Sequence, residues 1–327
     1  MRRPLLLPLT LLFRAAVAAR NFSYASGWTR PQRLGWPVIS VGSISVGGAG
    51  KTPLVIRLAE LLVAEGMQVV VLSRGYGRDS TATERVVPDG SPQRFGDEPL
   101  MIARNAGVPV FVGVNRFAAG LRAEHSLEPS GVHLLDDGFQ HRQLERSVDI
   151  VLVGKQDLED TLLPAGNLRE PLSALKRASF FAVRYEEQDV TSSLRARELR
   201  QPVWIVNRRL EMPVVGERSM AFCGIARPKD FFSEVAAHTE PLGREVVSTW
   251  SFPDHHRYTS ADMEQLVRLA IASRADGFVT TEKDAVKLDA GLRSILERVA
   301  ALHVVRLQLI LEDEEVAIQS LMRRLSS

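Results

Sequence analysis

Cysteine is nearly missing from this chain. Cys223 is the only one in 327 residues, so no intramolecular disulfide can form and a cysteine-rich zinc site is excluded. That scarcity suits a reducing compartment. An excess of charge is missing too: 41 basic against 39 acidic side chains leave a formal +2. A field that weak argues against a polyanion such as DNA as partner, although it leaves room for local basic patches. Low-complexity tracts and short repeats are absent, and no obligate protein partner is evident. A hydrophobic content of 45% over this length allows one large or two ordinary domains with real cores. A long uninterrupted apolar run is also lacking. The run from Leu5 to Ala19 comes nearest, but Arg14 interrupts it and it is too short to span a bilayer comfortably.

That N-terminal run has three readings. Two arginines, a leucine tract and Ala16-Val17-Ala18 resemble a cleaved signal. The helix could instead pack on the protein's own core. The reading that best suits the rest of the chain is an apolar helix lying against a membrane face, with Arg2, Arg3, Arg14 and Arg20 near the headgroups.

What is present is a nucleotide-like motif. The apolar run Pro37 to Val41 leads into Ser45-Val46-Gly47-Gly48-Ala49-Gly50-Lys51-Thr52, and a helical pattern runs from Leu54 to Glu65. Strand, Gly-rich turn, Lys-Thr and helix are the parts of a phosphate-binding loop. Backbone N–H groups and a helix N-terminus would face the anion. Lys51 would bring a point charge to the outer phosphates and Thr52 a hydroxyl to Mg2+. Ser45 stands where such loops usually begin with Gly. The bland alternative is a tight turn with Lys51 solvated.

Apolar runs at 68–73, 108–112, 132–135, 149–153 and 180–183 alternate with helical patterns at 100–105 and 116–124. This predicts a doubly wound α/β sheet. The stretch 186–201 is polar and reads as exposed. Strands at 219–223, 245–250, 276–281 and 304–309 alternate with helices at 228–237 and 263–272, and a last helix covers 314–325. They predict a second, smaller α/β lobe. The expected division is an apolar helix at 1–20, a phosphate-loop domain at 21–175, an inter-lobe connection at 176–205 and a second lobe at 206–327, whose last helix is free to pack back on the first.

Several groups carry chemistry. Asp136 and Asp137 end an apolar strand, where a carboxylate can hold Mg2+ opposite the loop Thr; a solvated strand end is the alternative. Asp97 and Glu98 precede a helix, where carboxylates are stabilised in any case, yet Asp97 could accept a proton from an attacking hydroxyl. In Phe252-Pro253-Asp254-His255-His256 adjacent histidines in an extended segment face opposite ways. A His–carboxylate pair for proton transfer is therefore more plausible than a metal cluster, with ordinary hydrogen bonds as the alternative. Arg74, Arg78 and Arg116 follow strands or start helices, where each could meet phosphate or simply water. Thr281-Glu282-Lys283-Asp284 is either a ligand-facing loop or a capped helix start.

In order along the chain stand Val41 to Pro53, Ser73-Arg74-Gly75-Tyr76-Gly77-Arg78, Gly96-Asp97-Glu98-Pro99, Leu135-Asp136-Asp137-Gly138-Phe139-Gln140-His141, Leu163-Pro164-Ala165-Gly166, Leu168-Arg169-Glu170-Pro171, Phe252-Pro253-Asp254-His255 and Thr281-Glu282-Lys283-Asp284. Together they resemble the tetraacyldisaccharide 4'-kinase family over essentially the whole chain. The resemblance implies a phosphate-loop hydrolase-like parallel sheet with a second α/β lobe. It implies ATP- and Mg2+-dependent phosphorylation of an acylated glucosamine disaccharide lipid at the cytoplasmic face of the bacterial inner membrane, by a peripheral or monotopic enzyme. Lys51, Asp97 and His255 would be catalytic, and residues 45–52 would hold the nucleotide. Thr52, Glu98, Asp136 and Asp137 would serve the metal, and Arg74 and Tyr76 the substrate. Ser43 and Ala226-Arg227 depart from the family pattern without removing any of these groups. Without the resemblance, an acceptor-independent ATPase switch, an ATP-binding membrane scaffold and a soluble small-molecule kinase stay open.

Overall fold

The computed structural model describes residues 3–47, 50–127 and 130–326. Among them twelve strands form one sheet: β1 Val38–Ser43, β2 Val69–Ser73, β3 Glu84–Arg85, β4 Val110–Val112, β5 Val132–Asp136, β6 Val148–Leu152, β7 Phe180–Arg184, β8 Val203–Glu211, β9 Arg218–Cys223, β10 Glu245–Ser251, β11 Gly277–Thr281 and β12 Ala301–Leu311. Their spatial order is β10-β9-β11-β12-β8-β7-β6-β1-β5-β2-β4-β3. Strands β8 to β4 in that order are mutually parallel, and so are β10 to β12. The short edge strand β3 runs antiparallel to β4.

The two parallel blocks meet in the antiparallel pair β12–β8. Register decides what this join does. Thr281, the last residue of β11, pairs with Val305. The last residue of β8, Glu211, pairs with Arg306. The carboxyl ends of both blocks therefore converge on the middle of one long strand. Ligands of open α/β sheets bind beyond carboxyl ends, so this arrangement turns two such edges toward each other.

Period-two alternation explains the layers. Ile39, Val41, Val69, Val71, Ile150 and Leu152 share a core with Leu54, Leu58 and Leu62 of the helix Lys51–Ala64 and with Ile318 and Leu321 of the C-terminal helix Glu314–Leu325. Their strand neighbours Val38, Val70 and Leu72 pack into a second cluster, and Val151, Phe181 and Val183 into a third. Both faces are covered, as near-continuous apolar strands require.

Two segments differ from the sequence reading. Within 186–201, the helix Asp189–Ala196 buries Val190 and Leu194. A spacing of four residues puts both on one face, although polar neighbours mask it. Together with β7 it occupies much of the stretch expected to connect the lobes. Strand β8 was not foreseen: its second half, Asn207-Arg208-Arg209-Leu210-Glu211, is polar and pairs only with the distant β12. At the other end, the helix Leu7–Ala25 buries only Val17 fully, with Phe13 packed partly on the third cluster.

Candidate active site

The phosphate loop leaves the carboxyl end of β1, between β5 and β6. Residues 44–46 are propped by the turn at 167–169: the Arg169 amide donates to Ile44 O at 2.7 Å and the Val46 amide to Asn167 O at 2.9 Å. Ser45 is buried there, bridged to Leu168. A small residue fits this spot, which is why Ser can stand in for the usual Gly. Gly50 begins the following helix at φ +85°, a conformation that costs an L side chain. Lys51 Nζ folds back over the loop, donating to Gly47 O at 3.2 Å and Ser43 Oγ at 3.4 Å. Thr52 lies in the first turn of the helix. Gly48 and Ala49, expected to cradle phosphate, lie outside the described residues.

The two aspartates at the end of β5 divide their work. Asp136 is buried and accepts from Ser73 Oγ at 3.1 Å. Burial, together with the nearby Asp137 and Glu98 charges, pushes its carboxyl up to about 7. Asp137 takes φ +50°, which turns its side chain toward cations: Arg169 Nη1 is 2.8 Å from Oδ2 and Lys51 Nζ is 3.6 Å from Oδ1. The buried Oδ1 has no hydrogen-bond donor. A desolvated carboxylate and an unsatisfied carboxylate oxygen, beside a Lys and a helix N-terminus, fit a magnesium-bound polyphosphate. Among the described residues no group of three or more His, Cys, Asp or Glu is arranged to hold a metal alone, so phosphate oxygens and water would complete the shell.

Asp97 and Glu98 open the helix Asp97–Asn105. Gly96, at φ +92°, ends the short helix Pro92–Phe95 and starts this one; a Cβ there would come within 3.0 Å of Gly75 Cα. That close approach sets the first turn against the Arg74–Arg78 loop. Opposite stands the segment after β10, where His255 Nδ1 lies 3.3 Å from Asp97 Oδ2. The hydrogen bond to Asp97 raises the His255 pKa, while burial and Lys283 oppose the rise. Tyr76 meets the His255 ring edge-on at 5.7 Å between centroids. A cavity of about 200 Å³ lies here, lined in part by Tyr76, Asp97, His255 and Lys287.

The neighbouring histidine is committed elsewhere. His256 Nε2 lies 3.1 Å from Asp262 Oδ2 and its ring stacks on Phe252. Lys51, Asp137 and Glu98 all act on the charge of Asp136, and His255 stands within 4.0 Å of both Asp97 and Glu98. Arg74 is exposed, within electrostatic range of Arg116 and His141. Two groups to which the sequence reading gives no role, Arg169 and Lys283, join the site, with a third, Arg116, which that reading leaves open to phosphate or water. Arg169 holds Asp137 and Gln140 Oε1. Buried Arg116 feels both aspartates, and desolvation lowers it to about 10. Lys283 touches His255 Nε2 at 3.2 Å. Arg169 and Lys283 sit in motifs quoted from the sequence, and that adjacency was the available signal; Arg116 lies outside those motifs, at a helix start.

The family model described as tetraacyldisaccharide-1-P 4'-kinase matches residues 2–326. A tetraacyldisaccharide 4'-kinase of Koribacter versatilis is 43% identical, with 97% of each chain covered. Another, of Syntrophus aciditrophicus, is 39% identical over 85% of this chain and 82% of its own. Among solved structures, an "apo" form LpxK from Aquifex aeolicus in complex with ATP superposes with a TM-score of 0.75 at 32% identity, covering 98% of both chains.

Proposed function

The chain belongs to the tetraacyldisaccharide-1-P 4'-kinase family, and from that premise we propose how its residues carry the reaction. The protein transfers the γ-phosphoryl group of ATP to the 4' hydroxyl of tetraacyldisaccharide 1-phosphate, giving the 4'-phosphorylated lipid A precursor. In our reading residues 45–52 hold the ATP phosphates. Lys51 leaves Asp137 to follow the transferring group, where its charge counts most. Thr52, Glu98, Asp136 and Asp137 are the residues that would hold Mg2+, which when bound neutralises charge on phosphate oxygens.

Asp97 accepts the proton of the 4' hydroxyl as its oxygen bonds to the γ-phosphorus and the bridging bond to ADP breaks. His255 orients that carboxylate by donating to it. Arg74 and Tyr76, on the loop beside Asp97, face the sugar headgroup. The observation that carries this reading is the meeting of Asp97 with His255 beside the phosphate loop. Closing of the phosphate-loop domain on the second lobe would exclude water, which competes with the sugar hydroxyl.

Among the described residues no helix is long and apolar enough to cross a membrane. The helix Leu7–Ala25 instead presents Leu7, Leu9, Leu11, Leu12 and Phe22 to solvent. Its far end is tied to the site through Arg20, which donates to Gln140 O, and through Asn21, which accepts from Arg142. We assign it to the cytoplasmic face of the inner membrane, where a tetraacyl substrate resides. The test combines purified protein, ATP, Mg2+ and tetraacyldisaccharide 1-phosphate. A new phosphate at the 4' position, located by mass and fragmentation, is expected. ATP consumption without lipid phosphorylation would overturn the reading.

A further inference from the structure

Lys283 has no role in the mechanism above, yet it touches its central imidazole. Its Nζ stands 3.2 Å from His255 Nε2 and 3.1 Å from Asp254 Oδ1. We propose that Lys283 is a positioning residue for phosphoryl transfer: held by Asp254, its ammonium donates to Nε2 of His255 and fixes the ring as the Nδ1–H tautomer, with the single N–H aimed at Asp97.

The donor inventory leads to this form. An ammonium can only donate and an ionised carboxylate can only accept. A ring placed between Lys283 on Nε2 and Asp97 on Nδ1 satisfies both contacts only if Nε2 carries the lone pair and Nδ1 the hydrogen. Other acceptors do not compete for Nε2, because Glu98 Oε1 and Asp254 Oδ1 are each 4.0 Å away, beyond hydrogen-bond reach. The opposite tautomer would set an N–H against the ammonium and a lone pair against the Asp97 carboxylate, losing both contacts.

The backbone is braced by the same groups. His255 sits at φ +58°, an uncommon region for a residue with a side chain and a mark of local strain. Its amide donates to Asp254 Oδ1 at 3.0 Å, the oxygen that Lys283 also holds. One lysine thus steadies the turn and selects the ring's form. Lys283 is itself placed rigidly. It lies in the single turn Glu282–Ala285 after β11, capped by Thr281. The next residue, Asp284, is fully buried and binds the Gly224 amide at 2.9 Å, Thr281 Oγ1 at 2.7 Å and Lys287 Nζ at 2.9 Å. Partners that orient metal-bound histidines are typically worth about 10–100-fold in activity, and a lysine that orients His255 is expected to act on that scale.

The activity part of the test rests on the Asp97 assignment, whereas the spectroscopic part does not. Full-length protein labelled with 15N-histidine is examined by long-range 1H–15N correlation at pH 8.5, with the His255 signals assigned from a His255→Asn sample. Wild type should show a protonated Nδ1 and a bare Nε2. Lys283→Met should move the ring toward the Nε2–H form and lower kcat about 10–100-fold with KM for ATP nearly unchanged. Lys283→Arg, which keeps a cationic donor, should recover much of that loss. An Nε2–H ring in wild type would overturn the proposal, and that spectrum decides even if the Met variant fails to fold. So would a Met variant with wild-type kcat, or one impaired only in KM for ATP. If Asp97 proves dispensable, the spectrum is unaffected, so the two readings fail separately.

Discussion

His255 Nδ1 lies 3.3 Å from Asp97 Oδ2, although 158 positions separate them in the chain. One residue comes from each parallel block, so the pair exists only where the two carboxyl edges face each other. If Asp97 takes the proton and His255 acts through it, their effects must overlap. Asp97→Asn should lower kcat by about 100- to 10,000-fold, His255→Asn by less, and the double variant by no more than Asp97→Asn alone. Steady-state kcat for the three proteins checks this. Losses that multiply would show two independent roles.

Lys51 is held in place by Asp137, Ser43 and Gly47 O. Removing it leaves Asp137 paired with Arg169 at 2.8 Å, so the site should keep its shape. Lys51→Ala should therefore fold normally and lose roughly 100- to 1,000-fold in kcat, the usual cost of one transition-state donor. Circular dichroism and turnover measured on the same sample separate the two effects. Wild-type turnover would remove Lys51 from the mechanism.

Legibility in the sequence falls with chain distance. The phosphate loop was legible because its spacing is local, and so was Asp136-Asp137, which comes directly after an apolar strand. The split between them was not. Their different fates depend on Ser73 from β2 and Arg169 from a later turn. The fold class was legible from alternating strands and helices, but β8 was hidden because half of it is charged and its outer partner is β12, about a hundred residues away. The pairing of His255 with Asp97 came from family resemblance; composition and spacing gave no distance. Lys283 stood in a quoted motif, but its contact with His255 appears only once β10 and β11, which flank β9, bring their following segments together.

The exposed leucines of the N-terminal helix offer a test with little risk to the fold. Leu11 and Leu12 are 68% and 70% exposed, so replacing both by Glu should change stability by no more than about 0.5 kcal/mol, as for ordinary surface positions. Each leucine buried in lipid would contribute about 1.5–3 kcal/mol. The double variant should therefore sediment far less with phosphatidylethanolamine–phosphatidylglycerol vesicles while keeping its affinity for ATP. Unchanged sedimentation would refute the membrane-facing role of this helix.

The C-terminal helix tests how the fold is shared. Leu321 is fully buried in the core that also holds Leu54 and Leu58 of the phosphate-loop helix. Leu321→Ala should cost about 2–5 kcal/mol, seen as a lower urea midpoint. An exposed position on the same helix, Val316→Ala, should leave that midpoint almost where it was. Equal effects from the two changes would mean that the helix contributes little packing.

His141 predicts the pH dependence of stability. Burial lowers its pKa from 6.5 to about 3, with help from Arg116, Arg146, Arg20 and Arg74. Between those values the unfolded chain binds a proton that the folded one refuses, so the His141 contribution to stability falls as pH drops from 6.5 toward 3, opposite in sign to that of Asp136, whose raised pKa lets the folded chain take up its proton first. Above 6.5 both states are neutral at this residue and it adds no slope. His141→Gln should therefore narrow the difference in urea midpoint between pH 8 and pH 5. Carboxylates titrate in both proteins, and comparing variant with wild type at each pH cancels their shared contribution. An identical difference in the two proteins would mean that His141 takes up its proton as readily folded as unfolded.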